Sequence, residues 1–453
     1  MREARTTQPS LIGTWLPLEH SKELQTMSRL LDEHPTIEEL VLQDLRAATG
    51  RGVVGIGGPR GVSAEVALRA LLIKQMNGFS YRELAFHLAD SQTYRTFCRL
   101  GITDQTPSKS ALAASTKAIR PETLEAIHRL LLGAPAAKKV EKAHKVRVDC
   151  TVVVSDIHQP ADSELLWDCV RVLTRLLRRA RARLGSGEVV FANRTRRAKR
   201  RRREIFHARS AEQRQAPYRD LLKVSEEVVG WALDLRERLQ DRSASDPVLA
   251  KLAEKLDRVL GLAEQVMAQT RRRVLEGQSV PAVEKIVSIF EDHTDIVRKD
   301  SRETLYGHKI CLTSGASSLI LDCVILEGNP ADSTLAETMI DRQIEIYARP
   351  PRQAAFDGGF TSKNNLTALK AKGVEDVAFS KAGRLPLSAM ARSTWVYKRL
   401  RDFRAGIEGN ISFLKRAFGL DRCTWKSLPS FKSYVWSSIL AFNLLVLARH
   451  LMT

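Results

Sequence analysis

Arg404, Glu408 and Lys415 lie within the stretch RAGIEGNISFLK (404–415). Wound as a helix at about 100° per residue, this stretch sets Glu408 about 40° and Lys415 about 20° round from Arg404. One carboxylate and two cations then share a face, with Ile407, Phe413 and Leu414 available to pack behind them. Alone, such spacing describes a solvated Arg/Glu pair beside a lysine. Two upstream carboxylates widen the possibilities: Asp149 in VRVDCTVVV and Asp357 in AAFDGGF. An unpartnered acid in an apolar strand is costly, whereas an acid before Gly-Gly is by itself an ordinary turn residue. Taken together, three acids from two strands and a helix suit a two-metal phosphoryl-transfer site. The expected cofactor is Mg²⁺ (or Mn²⁺), two ions per active site. Hard oxygen donors suit such ions and leave room for substrate phosphate. Arg404 and Lys415 would hold the phosphates beside the scissile bond.

Those acids require a scaffold, and the sequence supplies one in alternating stretches. Residues 146–155 read as a strand that places Asp149, Thr151, Val153 and Ser155 on one face. Asp156 falls at its end as a turn residue, and Asp162 is expected to cap the next helix. Residues 307–312 and 319–327 read as two strands joined by a turn at SGAS, followed by a helix over 331–347. A short strand at 352–356 delivers Asp357, a helix follows over 362–372, and 374–379 forms another strand. Asp322, inside LILDCVIL, reads as a structural or edge-strand acid. His158, His293 and His308 match no metal-ligand spacing and read as surface or supporting residues.

Between the first strand and the others, residues 163–287 are helical almost throughout. Within 171–203 stand fourteen Arg/Lys and one acid, Glu188, so most of the chain's net charge of +20 resides there. Arg194, Arg196, Arg197, Lys199, Arg200, Arg201, Arg202 and Arg203 form a run suited to phosphate contact. Residues 218–239 and 247–273 read as two long amphipathic helices. Upstream, a helical stretch over 24–45 breaks near Pro35, and a glycine-rich segment covers 50–61. Helices then follow from Ser63, Ser80 (with Glu83 in a capping box), Ser108 and Pro121. Residues 138–145 are a basic linker.

Composition sets the outer limits. At 453 residues and 43% apolar, the chain is globular, with room for two or three domains. A pI near 9.9 points to a polyanionic partner, nucleic acid first and an anionic membrane surface second. No apolar leader is expected in MREARTTQPS. The apolar run 434–448 is interrupted by Ser437, Ser438 and Asn443, so it reads as a buried C-terminal helix and not a membrane span. Six cysteines without a CxxC pair argue against structural zinc and for a reducing compartment. The expected location is cytoplasmic and nucleoid-associated, with no membrane partner.

The ordered elements and three acids resemble the RNase H-like catalytic domain of DDE-type insertion-sequence transposases. Four blocks carry the likeness: VDCTVVVSDIHQPADSELL, YGHKICL, FDGGFTS and RAGIEGNISFLKRAFGLDRC. It spans roughly 146–163 and 285–450, with a weaker likeness at 63–120. The last block is similar to the signature Y-x2-R-x3-E-x6-K of one transposase group. Arg404, Glu408 and Lys415 match it, but Arg401 stands at the tyrosine position and Tyr397 is the nearest tyrosine. The fold class so implied is mixed α/β: an RNase H-like core whose mixed sheet is flanked by helices. A large helical insertion follows the first strand, and a helical domain precedes it. The expected parts are a helical DNA-binding domain (1–137), the first core strand (138–162), the basic insertion (163–287) and the rest of the core with C-terminal helices (288–453). The resemblance implies catalytic and metal-binding Asp149, Asp357 and Glu408, double-stranded DNA (transposon ends and target) as partner, and a homodimer on DNA. It implies binding of terminal inverted repeats, metal-dependent cleavage and strand transfer. The alternatives are an RNase H-like nuclease without strand transfer, a catalytically inactive DNA-binding regulator and a basic coiled-coil scaffold.

Overall fold

Serine hydroxyls cap the starts of four helices in the N-terminal third, at Ser63, Ser80, Ser91 and Ser108. The structure, a computed structural model, describes residues 15–49, 61–101, 103–240, 246–299, 303–381 and 383–453. All but the last residue of the glycine-rich segment lies outside them. Helices α1 (Glu19–Asp32) and α2 (Thr36–Thr49) divide at Pro35, which has no N–H to continue the first. Helix α3 (Ala64–Asn77) starts on the Ser63 hydroxyl, which accepts from the Val66 N–H. It ends at Gly78, whose φ of 64° a side chain would strain. Ser80 and Glu83 complete the capping box of α4 (Tyr81–Asp90). After α5 (Gln92–Phe97), α6 (Lys109–Ala118) and α7 (Pro121–Gly133) comes α8 (Pro135–Val140). This short helix takes up Lys138 and Lys139, so only part of the expected basic linker is linker.

Strand β1 (Lys145–Val154) follows, and the chain then enters the second of two compact units. That unit, Asp156–Gly307, holds α9 (Asp162–Leu184), α10 (Thr195–His207), α11 (Ala211–Gln240) and α12 (Pro247–Thr270). These helices enclose their own core, including Leu173, Leu177, Leu221, Val228, Leu256 and Ala263. A strand not expected from the sequence, β2 (Asp295–Lys299), pairs antiparallel with Glu303–Gly307 of β3 (Glu303–Ser314). Its charged sequence, DIVRK, hides the alternation that marks a half-buried strand.

The first unit comprises the described residues up to Ser155 together with His308–Thr453. It continues through β4 (Ile320–Ile325), α13 (Ala336–Tyr347), β5 (Gln353–Phe356), α14 (Lys363–Ala371) and β6 (Asp376–Phe379). Short α15 (Leu387–Met390), α16 (Thr394–Ala417) and α17 (Leu428–Met452) complete it. Its sheet runs β4-β3-β1-β5-β6. It is mixed, because β1, β5 and β6 are parallel while β3 and β4 are antiparallel. Helix α17 is longer than its apolar run suggested and meets the length and hydropathy of a membrane span. Even so, 72% of its apolar window is buried inside the protein. It packs against α1, α3 and α7. The N-terminal helices therefore share one hydrophobic core with the sheet instead of enclosing a core of their own.

Candidate active site

Parallel pairing of β1 with β5 brings the first two acids side by side. The register ends at Val148↔Phe356, so Asp149 and Asp357 are the next residue on each of two neighbouring strands. Asp149 sits within β1, and its Oδ1 accepts from the Cys150 N–H at 2.7 Å. Asp357 leaves β5 into the turn Gly358–Phe360 and accepts from the Ser380 hydroxyl at 2.9 Å. Burial opposes its ionisation, but the Gly358 N–H, the Ser380 hydroxyl and the charges of Arg404 and Lys381 outweigh it. The Asp357 pKa therefore lies below the ordinary carboxylate value. The turn has no room for a side chain at Gly359, where a Cβ would fall 2.7 Å from Asp332 Oδ2.

Three anchors hold α16 against this part of the sheet. Near its start, the buried Tyr397 donates its hydroxyl to the Phe379 carbonyl of β6 at 2.7 Å. Midway, Arg147 of β1 donates to the Phe403 carbonyl at 3.1 Å and stacks on the Phe403 ring. The Arg147 guanidinium lies so close to the helix that a Cβ at Gly406 would sit 1.9 Å from its Nη1. One turn on, Asn410 donates to the Ser314 hydroxyl at 2.7 Å and to the Ser318 carbonyl at 3.1 Å. Arg147, Gly406, Asn410 and Ser314 were not singled out in the sequence. A glycine inside an otherwise strong helix is the one signal that marks this docking.

So anchored, α16 sends Arg404 into the middle of the three acids. Its Nη1 lies 3.1 Å from Asp357 Oδ1 and 3.6 Å from Asp149 Oδ2, and its Nη2 lies 2.5 Å from Glu408 Oε1. The Arg404 side chain is 13% exposed and Asp149 16%, whereas Asp357 is 41% and Glu408 61% exposed. All three predicted acids therefore meet on one guanidinium. Arg404, expected at DNA phosphates, here binds the acids themselves. Lys415 stands apart, 3.6 Å from Asp421. Among the described residues no three acidic, histidine or cysteine side chains stand close enough together to ligate an ion directly. The donor set nevertheless fits a divalent cation in kind. It is all carboxylate oxygen, converges from three elements, and already surrounds a positive charge.

Other candidates resolve into structural roles. Asp322 forms a buried two-point pair with Arg342, at 2.5 and 2.7 Å. Asp162 does not cap α9; Ala161 occupies that position. Asp162 is buried instead, pairing with Arg273 and accepting from Gln269, each at 2.8 Å. His308 is buried edge-on against Phe431, not at the surface. His293 faces Glu291 at 3.0 Å and His158 faces Asp168 at 3.7 Å.

In the second unit, α10 divides the predicted basic run by face. Arg194 pairs with Glu227, Arg197 with Asp220, Arg201 with Asp220 and Glu204, and Arg202 with Glu164. These four arginines face α9 and α11 or neighbouring acids, and their charge is answered inside the unit. Asp220, held between Arg197 and Arg201, drops to a pKa of about 2. Arg196, Lys199 and Arg203 point outward, and Arg200 is exposed with Glu204 at 3.8 Å. Of the eight residues of the run, this row is the more exposed, while the other four are answered by acids within the unit.

An acid cluster on two neighbouring inner strands of a mixed sheet, completed from a helix, defines a class of α/β protein with a carboxylate site. Comparison with known families narrows that class. Residues 271–444 match a family described as Transposase DDE domain, and residues 13–117 match one described as Transposase domain (DUF772). Together the two matches indicate a DDE-type insertion-sequence transposase. No curated protein and no solved structure matches it. Asp357 and Glu408 fall within the matched DDE range, while Asp149 and most of the second unit fall outside both ranges.

Proposed function

We propose that this transposase binds the terminal inverted repeats of its element, cuts the DNA there and joins the freed 3′ ends to target DNA by transesterification. The single observation that carries the reading is the meeting of Asp149, Asp357 and Glu408, from β1, the β5 turn and α16, at one cationic point. The sheet order β4-β3-β1-β5-β6 supports an RNase H-like core, with the long insertion placed after its first strand. Asp149, Asp357 and Glu408 would hold two Mg²⁺ or Mn²⁺ ions. Bound ions supply the charge that activates the attacking oxygen and steadies the leaving one. Asp149, on a paired strand, and Asp357, fixed by Ser380 and the Gly358 N–H, offer oxygens whose positions do not depend on substrate. Glu408, the most exposed of the three, completes the set from the helix. Arg404 and Lys415 contact phosphates flanking the scissile bond, and the outward row of α10 holds flanking or target duplex. Joining two ends requires two sites, so the working form is a homodimer on DNA.

The test is cleavage and strand joining on the DNA that flanks the protein's own reading frame, with Mg²⁺ or Mn²⁺, wild type beside Glu408→Gln. Metal-dependent nicking and joining that the variant loses while still binding DNA is the expected result. Nicking without joining would make the protein a nuclease. Binding with no cleavage by either protein would make it a regulator.

A further inference from the structure

We propose that Arg404 and divalent cations compete for the same acidic centre, so that ion binding releases Arg404 to the DNA phosphates and couples the two binding events. The inference rests on the reading of Asp149, Asp357 and Glu408 as a metal site. Among the described residues, the ion pairs of Arg404 are all to these three acids. Among the described residues no other ion pair or hydrogen bond fixes its guanidinium, and the side chain is long and jointed. Two of the acids, in contrast, are held: Asp149 in a paired strand and Asp357 by Ser380. Exchange therefore needs Arg404 to leave and the exposed Glu408 side chain to draw in towards the two aspartates.

Charge gives the exchange its direction. Three carboxylates around one guanidinium leave the cluster two charges short of neutrality if all are ionised, and a divalent ion offsets more of that deficit than Arg404 does. Exposure gives it a route. Glu408 and Asp357 form the open rim of the cluster, and Arg404 lies beneath them, so an ion reaches the acids from solvent. A guanidinium displaced from carboxylates is well suited to phosphate oxygens, which accept the same fork of donors. Because coupling of this kind is reciprocal, DNA phosphate that draws Arg404 away also tightens ion binding.

The experiment is Mn²⁺ binding to the full chain without DNA, read as loss of the free-ion paramagnetic signal. It compares wild type, Arg404→Gln, Arg404→Lys and Asp149→Asn. Arg404→Gln should bind Mn²⁺ about tenfold more tightly, the ratio expected when one charge-assisted hydrogen bond no longer has to be broken. Arg404→Lys should stay near wild type, and Asp149→Asn should lose the ion. In chelator, Arg404→Gln should also unfold at lower denaturant than wild type, with the difference removed by Mn²⁺. A measurement on the unaltered protein guards against a variant that misfolds: phenylglyoxal, which labels free guanidinium groups, should modify Arg404 faster when Mn²⁺ is present. The proposal is overturned if Arg404→Gln binds Mn²⁺ no more tightly while Asp149→Asn still loses it, or if Mn²⁺ leaves Arg404 labelling unchanged. Undiminished Mn²⁺ binding by Asp149→Asn would overturn the metal-site reading itself, and this inference with it.

Discussion

Lys74 is buried in α3, with its ammonium 5.3 Å from the centre of the Tyr81 ring and 5.9 Å from that of Tyr434. Burial, reinforced by the like charge of Lys117, brings its pKa down to about 8. Between about pH 8 and its ordinary value of 10.5, the unfolded chain binds more proton at this amine than the folded chain does. Stability contributed at this site therefore rises with pH across that window, and the full cost of the buried charge is present below it. Lys74→Met should raise resistance to urea at pH 7 by on the order of 2 kcal/mol, and the difference from wild type should fade towards pH 10.5. A variant no more stable than wild type at pH 7 would mean that the two aromatic rings fully answer the charge. Arg404 is the opposite case, a cation whose environment is almost wholly acidic. Its residue type and its spacing from Glu408 were legible in the sequence. Its position among Asp149 and Asp357 was not, because that depends on strand register and helix docking, which no local pattern encodes.

Element by element, α16 shows where local reading stops. The helix itself, its apolar back and the order of the acids along the chain all follow from periodicity. The docking on β1 does not. Gly406 looks like a helix-weakening residue until Arg147, more than two hundred positions upstream, is found where its Cβ would be. Asp162 misleads for a related reason. It stands one residue inside the helix start, and its charge answers Arg273, which arrives from the far end of the second unit's helices. Gly406→Ala should therefore push α16 off β1 or expel Arg147 from its pairing with the Phe403 carbonyl. Ordinarily the change to alanine would favour a helix by about 1 kcal/mol. Here the expected outcome is a lower thermal midpoint together with weaker Mn²⁺ binding, since Glu408 moves with the helix. Arg147→Ala, which frees the space, should largely restore Mn²⁺ affinity when combined with Gly406→Ala. A double variant as poor as the single one would place the cause elsewhere.

For the molecule as a whole, a net charge of +20 suits a polyanionic partner but does not locate where it would bind. The structure narrows the question within the second unit. Charges answered by Glu227, Asp220, Glu204 and Glu164 release few counterions from DNA, because they are already paired. Outward charges on the same helix have no such partner among the described residues, as with Arg196, Lys199 and Arg203. Each phosphate neutralised by such a residue adds about 0.9 to the slope of log affinity against log salt. Changing Arg196, Lys199 and Arg203 together to alanine should thus lower that slope by about 2 to 3, measured by anisotropy of a labelled duplex across a KCl series. Affinity should fall for all sequences alike, since phosphate contacts carry no sequence information. Changing Arg197 and Arg201 instead should destabilise the unit, because Asp220 is then left partly buried without its partners, while at moderate temperature the salt slope stays near wild type. If the outward triple variant kept the wild-type slope, the basic surface that meets DNA would have to lie outside α10, and the charge of this helix would serve only its own fold.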